Sequence, residues 1–389
     1  MDKKTKKVGL YIHIPFCLHK CAYCDFCSAE QKDKMQKAAY VDALVSDIEH
    51  TGKSVSEDNV VVDTVYVGGG TPSLLTKKEI ELITDTIYDS FNVTEDAEFT
   101  FEVNPATLDK TTAKSLLDNG VNRLSIGLQS AHDSELSALS RIHTFKDFLA
   151  CYKLARKTGF ENINVDVMYG IPNQTPESFF ETLRIVCELE PEHISMYGLR
   201  IEPGTAFAAC ERELALPGED DEYLMYRKGR EFLIDRGYAH YEISNYAKRG
   251  RGSRHNLKYW RCEEYLGIGV AAHSFYAGKR YAKIPSTDGY ISLICGEENY
   301  AATVVAESVE TVDARTLECE YVMLGLRTSE GIVKSRFEEK FGFSFDSKYL
   351  PRIKDYADAG FIVDNDKSCS FTPEGMYVSN RILSDILDL

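Results

Sequence analysis

Four cysteines lie close together near the start of the chain, in the segment HIPFCLHKCAYCDFC (residues 13–27). Cys17, Cys21 and Cys24 have the spacing C-x3-C-x2-C, and Cys27 follows three residues later. Bunched thiolates favour an iron–sulfur cluster, because its several irons form one compact cage. Structural zinc sites usually split their ligands into two pairs with a long spacer, so zinc is a less favoured alternative. Four buried core cysteines are a third interpretation, which the polar residues between them disfavour.

Polar side chains end several apolar segments further along the chain. Glu102 lies in FEVNP, Gln129 in SIGLQS and Asp166 in NVDVMYGIP, and Arg141 follows in LSRIH. Each of them alone is explained more simply as a hydrogen-bonded polar group inside a barrel. Four such residues in strand order favour a shared ligand site, because the carboxyl ends of parallel strands meet at one face of a sheet.

A glycine run offers a place where the backbone could approach a ligand. Gly68, Gly69 and Gly70 end a candidate strand in YVGGGTPSLL, and Thr71 comes next. Because glycine has no side chain, a ligand can come close to the main chain there. The run lacks the lysine of a phosphate-binding P-loop, and alone it identifies no ligand.

A basic segment, AKRGRGSRHNLKYWR (residues 247–261), stands out in an acidic chain. It has six Lys or Arg and no Asp or Glu, and it contains His255, Tyr259 and Trp260. Heme has two carboxylates that basic residues can pair with, a flat face that aromatic rings can cover, and an iron that accepts an imidazole. Composition alone favours a plainer interpretation, which is a solvated basic loop with a structural histidine.

The elements that would position these residues follow a regular alternation. Six short segments rich in β-branched and aromatic residues alternate with segments of helical periodicity. Thr76 and Glu79 predict a capping box at one helix start, and Gly120 and Gly159 predict helix ends. Six consecutive βα units predict an α/β fold with a parallel sheet, either a full or partial barrel or a doubly wound sheet. The candidate strands are residues 8–14, 62–69, 98–104, 123–129, 162–170 and 193–201.

The second half of the chain predicts an extension of the sheet and a separate small module. We expect a (β/α)6 core over residues 1–240, the sheet extension with the basic segment over 241–310, and a winged-helix-like α+β module over 311–389. The module combines short helices, a strand pair that turns at DNDKS, and a last helix. It has ten Lys or Arg against fourteen Asp or Glu, so we favour a docking or lid role over DNA binding.

Composition sets the class of protein and its surroundings. The chain has 389 residues and a net charge of −16, which disfavours nucleic acid and anionic membrane surfaces as partners. It has no apolar run long enough to span a membrane and no recognisable secretory signal, so we expect a cytosolic protein with reduced thiols. The seven cysteines outside the first segment are expected to be small core residues. They are Cys151, Cys187, Cys210, Cys262, Cys295, Cys319 and Cys369.

The cysteine segment resembles that of the radical SAM superfamily. The points of similarity are C-x3-C-x2-C, the aromatic Tyr23 before the last cysteine, and a position at the end of the first strand of a βα array. The resemblance implies that Cys17, Cys21 and Cys24 hold three irons of a [4Fe–4S] cluster. The fourth iron would then chelate S-adenosylmethionine (SAM), to whose sulfonium the cluster supplies one electron. It also implies a partial (β/α)6 TIM-like barrel that excludes water.

The remaining motifs are similar to those of the oxygen-independent coproporphyrinogen III oxidase family, over nearly the whole chain. The resemblance implies that Glu102, Gln129 and Asp166 hold the amino, ribose and adenine groups of SAM. Arg141 would pair with the SAM carboxylate, and Tyr11 would lie near the sulfonium and the cluster. The turn at Gly69, Gly70 and Thr71 would bind the methionine part of SAM.

Two related groups share these motifs, the true oxidases and the HemW-type heme chaperones. The oxidases have a further cysteine two residues after the third, where this chain has Phe26. HNLKYW (residues 255–260) resembles the HN-x2-YW signature of the chaperones, in which the histidine, here His255, is proposed to ligate heme. We therefore expect a protein that binds cluster, SAM and heme, delivers heme to acceptor proteins, and uses an electron donor. The alternatives are an anaerobic coproporphyrinogen oxidase and a cluster-bearing electron-transfer or scaffold protein.

Overall fold

A parallel sheet organises the first half of the chain. The computed structural model describes residues 5–296 and 300–388. Each of the six predicted strands is present, and each pairs in parallel with the next one along the chain. The prediction of a partial βα barrel is thereby confirmed. The strands are β1 (Lys6–Ile14), β2 (Val60–Gly69), β3 (Val93–Val103), β4 (Arg123–Gln129), β5 (Ile163–Tyr169) and β6 (His193–Gly198).

Helices cover the outer face of this sheet, and their ends follow the local sequence signals. Thr76 and Glu79 form the predicted capping box at the start of the second helix. Gly159 has a φ of +119° and ends the fifth helix, as glycine can without steric cost. The helices of this half are α1 (Lys34–Val55), α2 (Lys77–Ser90), α3 (Lys110–Asp118), α4 (Asp133–Ala138), α5 (Phe145–Thr158) and α6 (Pro176–Glu188).

The next segment extends the sheet at both edges, as the sequence predicts. One pair of strands joins β6, and a second group joins β1, so that the full sheet has twelve strands. The first strand of the second group runs parallel to β1, with Gly9 opposite Tyr265, which the sequence did not indicate. The added strands are β7 (Ala239–Glu242), β8 (Asn245–Ala247), β9 (Tyr265–Ile268), β10 (His273–Tyr276), β11 (Lys279–Ala282) and β12 (Glu310–Thr311).

Further helices connect these strands. They are α7 (Ala206–Ala209), α8 (Glu219–Asp235), α9 (Arg254–Trp260) and α10 (Thr287–Cys295). A buried carboxylate ties the second group of strands to α1. Asp47 accepts hydrogen bonds from the Lys283 ammonium at 3.0 Å, the Tyr290 hydroxyl at 2.6 Å and the Gly269 amide at 3.2 Å.

The C-terminal segment has a hydrophobic core of its own and a winged-helix-like arrangement, as predicted. Its strands β13 (Ile332–Val333), β14 (Ile362–Asp364) and β15 (Ser368–Phe371) form a separate antiparallel sheet, and β14 and β15 turn at DNDKS. Arg280 on β11 donates to Glu320 at 2.7 Å and joins the two parts. The domain boundaries at 240 and 310 stay predictions. The helices are α11 (Ala314–Gly325), α12 (Lys334–Phe341), α13 (Phe345–Asp358), α14 (Pro373–Tyr377) and α15 (Ser379–Leu387).

The two faces of the parallel strands have different roles. On β1 the residues Val8, Leu10, Ile12 and Ile14 are buried against the outer helices, so the alternate residues face the barrel interior. Of the seven scattered cysteines, Cys151, Cys187 and Cys369 are buried, but Cys295 is exposed on α10 and the expectation of a core role there is wrong. Within the described residues, no helix combines the length and apolar character needed to cross a membrane.

Candidate functional site

The cysteine segment forms a closed loop after β1. A two-residue strand, Phe16–Cys17, pairs with Ala29–Glu30 and closes the base of this loop. The Lys20 ammonium donates to the carbonyl oxygens of Phe26 at 3.0 Å and Ser28 at 3.2 Å, which fixes the loop from inside. The segment contains no helix.

Three of the four thiols of this loop face one cavity. Cys17, Cys21 and Cys24 line it, and donors from the barrel approach two of their sulfurs. Thr71 Oγ1 lies 3.6 Å from Cys17 Sγ, and Arg141 Nη1 lies 3.6 Å from Cys21 Sγ. Such donors stabilise sulfur ligands that carry negative charge. The sequence left the role of the fourth cysteine open, and its geometry is different.

Cys27 is turned away from the cavity. Its Sγ lies 3.6 Å from the carbonyl oxygen of Pro285, and it is not among the residues that line the cavity. Its own carbonyl oxygen lies 2.7 Å from Nε2 of His13. Burial raises the pKa of the Cys27 thiol, which favours the neutral form of this side chain. Three thiols therefore share the cavity, and the fourth has a separate contact.

The glycine run ends β2 directly beside this loop. Gly69 has a φ of +110°, and a Cβ on it would lie 2.5 Å from the His13 ring. A Cβ on Gly70 would lie 2.7 Å from the carbonyl oxygen of Phe16. The Gly70 and Thr71 amides donate to the main chain of the cysteine segment at 2.8 and 2.7 Å. Only glycine permits the turn to pack this closely on that segment.

Two carboxylates from the barrel interior face the same cavity. Glu102 accepts from the Tyr66 hydroxyl at 2.8 Å and from the Gly69 amide at 3.0 Å. Burial raises the pKa of Glu102 to about 7, although these hydrogen bonds act in the opposite direction. Asp166 accepts from Asn164 at 2.7 Å, and burial raises its pKa as well. A partner that carries positive charge or hydrogen-bond donors would therefore stabilise the ionised form of both side chains.

Arg141 reaches the cavity from the segment after α4. Its Nη2 donates to the carbonyl oxygen of Gly127 at 2.8 Å, and its Nη1 contacts Cys21, as described above. Its Nε is buried and has no hydrogen-bond partner among the described residues. A buried donor without a partner is costly, so this atom fits a ligand with an acceptor such as a carboxylate. Gln129 has a φ of +76° at the end of β4, which directs its side chain to the same wall.

The structure brings together most of the residues predicted from the sequence. They line one cavity of about 160 Å3. No three His, Cys, Asp or Glu side chains in residues 5–296 and 300–388 are arranged to hold a single metal ion, so the three thiols share a cavity rather than a preformed mononuclear site. The predicted residues in this cavity are Cys17, Cys21, Tyr23, Cys24, Gly69, Gly70, Thr71, Glu102, Gln129, Arg141 and Asp166.

Tyr11 lies beside this set rather than in it. Its hydroxyl is 2.9 Å from Nδ1 of His13, and its ring centroid is 6.3 Å from that of Tyr66. In the described chain Tyr11 is not among the residues that line the cavity. It reaches the cysteine loop indirectly, because His13 in turn contacts the Cys27 carbonyl oxygen. A direct contact of Tyr11 with a cofactor stays a prediction.

His255 occupies the floor of the barrel, away from the cavity. It is the second residue of α9 and is 1% exposed. Its Nδ1 lies 2.9 Å from Thr64 Oγ1 and its Nε2 lies 2.8 Å from the Tyr259 hydroxyl, so both ring nitrogens have partners. Burial lowers the pKa of His255 to about 3, so the ring is neutral. Both ring nitrogens have hydrogen-bond partners as placed, and the ligation of heme by His255 stays a prediction.

Glu98 holds α9 in this position. Its carboxylate accepts from the Arg254 amide at 2.9 Å and from the His255 amide at 3.0 Å. These are the free amides of the first helical turn, where a negative charge is favourable. Acidic residues from β2 and β3 also reach the basic segment: the Lys258 ammonium lies 2.8 Å from Asp63. The segment is therefore less basic in the fold than its sequence alone suggests.

Several interior residues were not singled out from the sequence. Arg123 lies on the same face of β4 as Gln129, and Tyr66 and Asn164 line a second cavity that joins the first. The signal was present in RLSIGLQ, where alternate residues are polar or small while the others are apolar. His13 could not be found in this way, because its role depends on contacts with distant residues.

Comparisons with known proteins agree with this geometry. A family model described as the radical SAM superfamily matches residues 11–186, and one described as the HemN C-terminal domain matches residues 315–378. The fold resembles that of coproporphyrinogen III oxidase (HemN) from Escherichia coli, with a TM-score of 0.83 and 24% identity over 99% of this chain and 91% of that one. The fold and the cysteine-lined cavity define a radical SAM protein.

Curated relatives give a narrower assignment. The chain is 34% identical to the heme chaperone HemW of Bacillus subtilis, over 97% of this chain and 98% of the relative. It is 33% identical to the heme chaperone HemW of Escherichia coli, over 98% of each. The chain therefore belongs to the HemW family.

Proposed function

We propose that this protein binds heme and delivers it to acceptor proteins, from a barrel that also holds a [4Fe–4S] cluster and SAM. The observation that carries the proposal is the near full-length similarity to heme chaperones at 34% identity. The HNLKYW segment and the absence of a cysteine at Phe26 favour this function over that of the oxidases. A cytosolic location agrees with eleven cysteines, none of which forms a disulfide in the described residues.

We assign the cluster to Cys17, Cys21 and Cys24. Their shared cavity and the donors from Thr71 and Arg141 support three thiolate ligands. The contact of Cys27 with a carbonyl oxygen supports an iron that no fourth thiol closes. When bound, the cluster supplies one electron for cleavage of the SAM sulfonium. We expect the electron to come from a separate donor protein.

We assign SAM to the same cavity. Glu102 would accept from the amino group, beside the Gly69 amide that already positions its carboxylate. The partnerless Nε of Arg141 would donate to the SAM carboxylate. Gln129 and Asp166, further along the same wall, would hold the ribose and the adenine. These residues bind, orient and exclude water, and the structure gives no reason to assign them a proton-transfer step.

Ligation of heme by His255 is a separate prediction. It requires the imidazole to give up its hydrogen bonds with Thr64 and Tyr259 and leave a buried site. We propose to test it by heme titration of wild type and His255→Ala. Loss of the iron–imidazole spectrum in the variant would support ligation. An unchanged spectrum and affinity would leave His255 with the structural role described above.

The proposed function is tested by transfer of heme to an acceptor. Protein that carries one equivalent of heme is mixed with apomyoglobin, and the change in the Soret band is followed. We expect a transfer rate that rises with apomyoglobin concentration, because handover requires an encounter between the two proteins. A rate independent of acceptor concentration would indicate passive release, and a failure to bind heme would overturn the proposal.

The alternative functions are tested with the same preparation. Coproporphyrinogen III is supplied anaerobically with SAM and a reductant, and decarboxylated products are measured. We expect no turnover, since the family relatives are named as heme chaperones. Sustained turnover would assign an oxidase instead. Absence of SAM binding by the reconstituted protein would leave an electron-transfer or scaffold role.

A further inference from the structure

A chain of hydrogen bonds runs from the wall of the cysteine-lined cavity to the start of α9. The Asn164 amide nitrogen lies 2.7 Å from the Asp166 carboxylate, and the Asn164 carbonyl oxygen lies 2.6 Å from Nδ1 of His193. Nε2 of His193 lies 2.8 Å from the Tyr241 hydroxyl. That hydroxyl lies 3.2 Å from the main-chain amide of Ser253, the residue before α9. The proposed function uses only Asp166 of these five residues.

The direction of every hydrogen bond in this chain follows from its two ends. The Ser253 amide can only donate, so the Tyr241 hydroxyl accepts from it and donates its own proton to Nε2 of His193. Nε2 then carries no proton, and Nδ1–H of the neutral ring donates to the Asn164 carbonyl oxygen. The Asn164 amide nitrogen donates in turn to Asp166. Burial lowers the pKa of His193 well below its usual value, which agrees with a neutral ring.

Strand register and burial hold the middle of the chain in this arrangement. Asn164 lies opposite His193 in the parallel pairing of β5 and β6, and the two residues are 2% and 1% exposed. Asn164 also accepts from Ser195 Oγ at 3.1 Å and donates to Ser125 Oγ at 2.8 Å. A rotation of its amide group would break these bonds and place the oxygen against the Asp166 carboxylate. The chain therefore has one favourable direction.

A hydrogen-bond donor on Asp166 would act on the cavity end of this chain. Burial raises the pKa of Asp166, so without a ligand the ionised carboxylate is disfavoured. A donor from the adenine, which the proposed function assigns to Asp166, stabilises the ionised form. The ionised carboxylate accepts a stronger hydrogen bond from Asn164, and aligned hydrogen bonds in a buried chain strengthen one another. The Ser253 amide at the far end would then be held more tightly.

Ser253 is the residue that fixes the start of α9. It is buried, and its hydroxyl oxygen accepts from the Asn256 amide at 3.3 Å as the N-cap of the helix. The helix has only seven residues, so it has little stability of its own and depends on contacts of this kind. It contains the HNLKYW segment, with His255 as its second residue.

We propose that SAM, when bound, holds the start of α9 in the barrel through His193 and Tyr241, which act as positioning residues. This inference rests on the proposed function, from which it takes the place of SAM, and adds a regulation to it. The occupancy of the SAM cavity sets how firmly the helix that contains the predicted heme ligand is held.

Amide hydrogen exchange of cluster-loaded protein tests the proposal, measured anaerobically at pH 7.5 without a reductant so that SAM stays intact. We expect saturating SAM to slow exchange of the amides of residues 253–256 at least about fivefold in wild type, because local opening must then break a stronger chain. Adenosine alone, which would reach Asp166, should slow the exchange as well. Methionine alone, which would reach Glu102 and Arg141, should change it less than about twofold.

Tyr241→Phe removes the hydroxyl and keeps the ring, so it breaks the chain without emptying the site. Exchange at the start of α9 should become faster with and without SAM, and the effect of SAM should fall below about twofold. A merely structural role of Tyr241 would speed the exchange but leave the effect of SAM. Tyr238→Phe is the matched control, because it removes a hydroxyl that donates to the Pro191 carbonyl oxygen outside the chain. It should keep the wild-type effect of SAM.

Equal exchange with and without SAM in wild type would overturn the proposal, while SAM binding shown by calorimetry on the same sample would leave the SAM assignment standing. An effect of SAM that persists in Tyr241→Phe, is lost in Tyr238→Phe, or appears with methionine alone would overturn the route through His193 and Tyr241. Failure of SAM to bind would instead overturn its assignment to the cavity, and this inference with it. No heme is present, so none of these results bears on heme carriage. If Tyr241→Phe does not fold, the comparison of adenosine with methionine in wild type decides.

Discussion

The affinity for SAM should depend on pH through Glu102. Its pKa is raised to about 7 by burial, so without a ligand the carboxyl is protonated in an appreciable fraction of molecules at neutral pH. A protonated carboxyl cannot pair with the cationic amino group of SAM. Raising the pH through the pKa of Glu102 therefore increases the ionised fraction of this carboxyl and with it the affinity for SAM.

The size of the effect follows from the fraction of ionised Glu102. With a pKa of about 7, about 9% of the carboxyl is ionised at pH 6.0 and about 76% at pH 7.5. The Kd for SAM should fall about eightfold between these values. The window ends there because the amino group of SAM itself loses its proton above about pH 8. Asp166, whose pKa is also raised, would change the affinity in the same direction.

Anaerobic calorimetry of SAM binding at pH 6.0, 6.5, 7.0 and 7.5 measures this slope. Glu102→Gln should bind SAM more weakly and with a much flatter pH dependence, because no charge titrates at that position. Glu188→Gln, which removes an exposed carboxylate on α6, is the matched control and should keep the wild-type slope. A wild-type Kd that is constant or rises with pH would refute the role of Glu102. So would a slope that persists unchanged in Glu102→Gln.

Further predictions concern the cluster and the packing that surrounds it. Cys27→Ser should keep the iron content and the cluster spectrum of wild type, whereas Cys24→Ser should lose them; equal losses in both would contradict the three-thiol assignment. Gly70→Ala should destabilise the protein by about 1–3 kcal/mol in urea unfolding, because the added Cβ meets backbone oxygens of the cysteine segment. Asp47→Asn should cost about 3–5 kcal/mol by leaving Lys283 buried and unpaired; a loss below about 1 kcal/mol would show that this ion pair is not needed.

Local sequence patterns were sufficient for the parallel sheet and for most of the cavity. The six strands have enough β-branched and aromatic residues to be recognised singly, and their alternation with helices specifies parallel pairing. Once the strands are in order, polar residues at their ends must meet. This is why Glu102, Gln129 and Asp166 could be grouped before their contacts were known.

Tertiary partners account for what the sequence did not reveal. The basic segment has no acid of its own, but the fold brings Asp63 to Lys258 from a strand almost two hundred residues earlier. The sequence around His255 is that of a candidate heme ligand. In the fold its two ring nitrogens form hydrogen bonds with Thr64 and Tyr259, as those of a core histidine would. The pairing of β9 with β1 likewise joins segments that are far apart in the sequence, and local periodicity gives no indication of it.

Two carboxylates lie on the inward face of strand β3, Glu98 at the middle of the strand and Glu102 near its carboxyl end. Glu98 accepts hydrogen bonds from the first amides of α9, and Glu102, four residues later, accepts one from the Gly69 amide beside the cysteine loop. A β-strand spans about 13 Å over four residues and is stiff along its length. A displacement of α9 from the barrel therefore either breaks the hydrogen bonds that Glu98 accepts from α9 or shifts strand β3 along its axis towards the floor. A shift of the strand would move the Glu102 carboxylate away from the Gly69 amide, so the position of α9 is coupled to the glycine turn beside the cysteine loop.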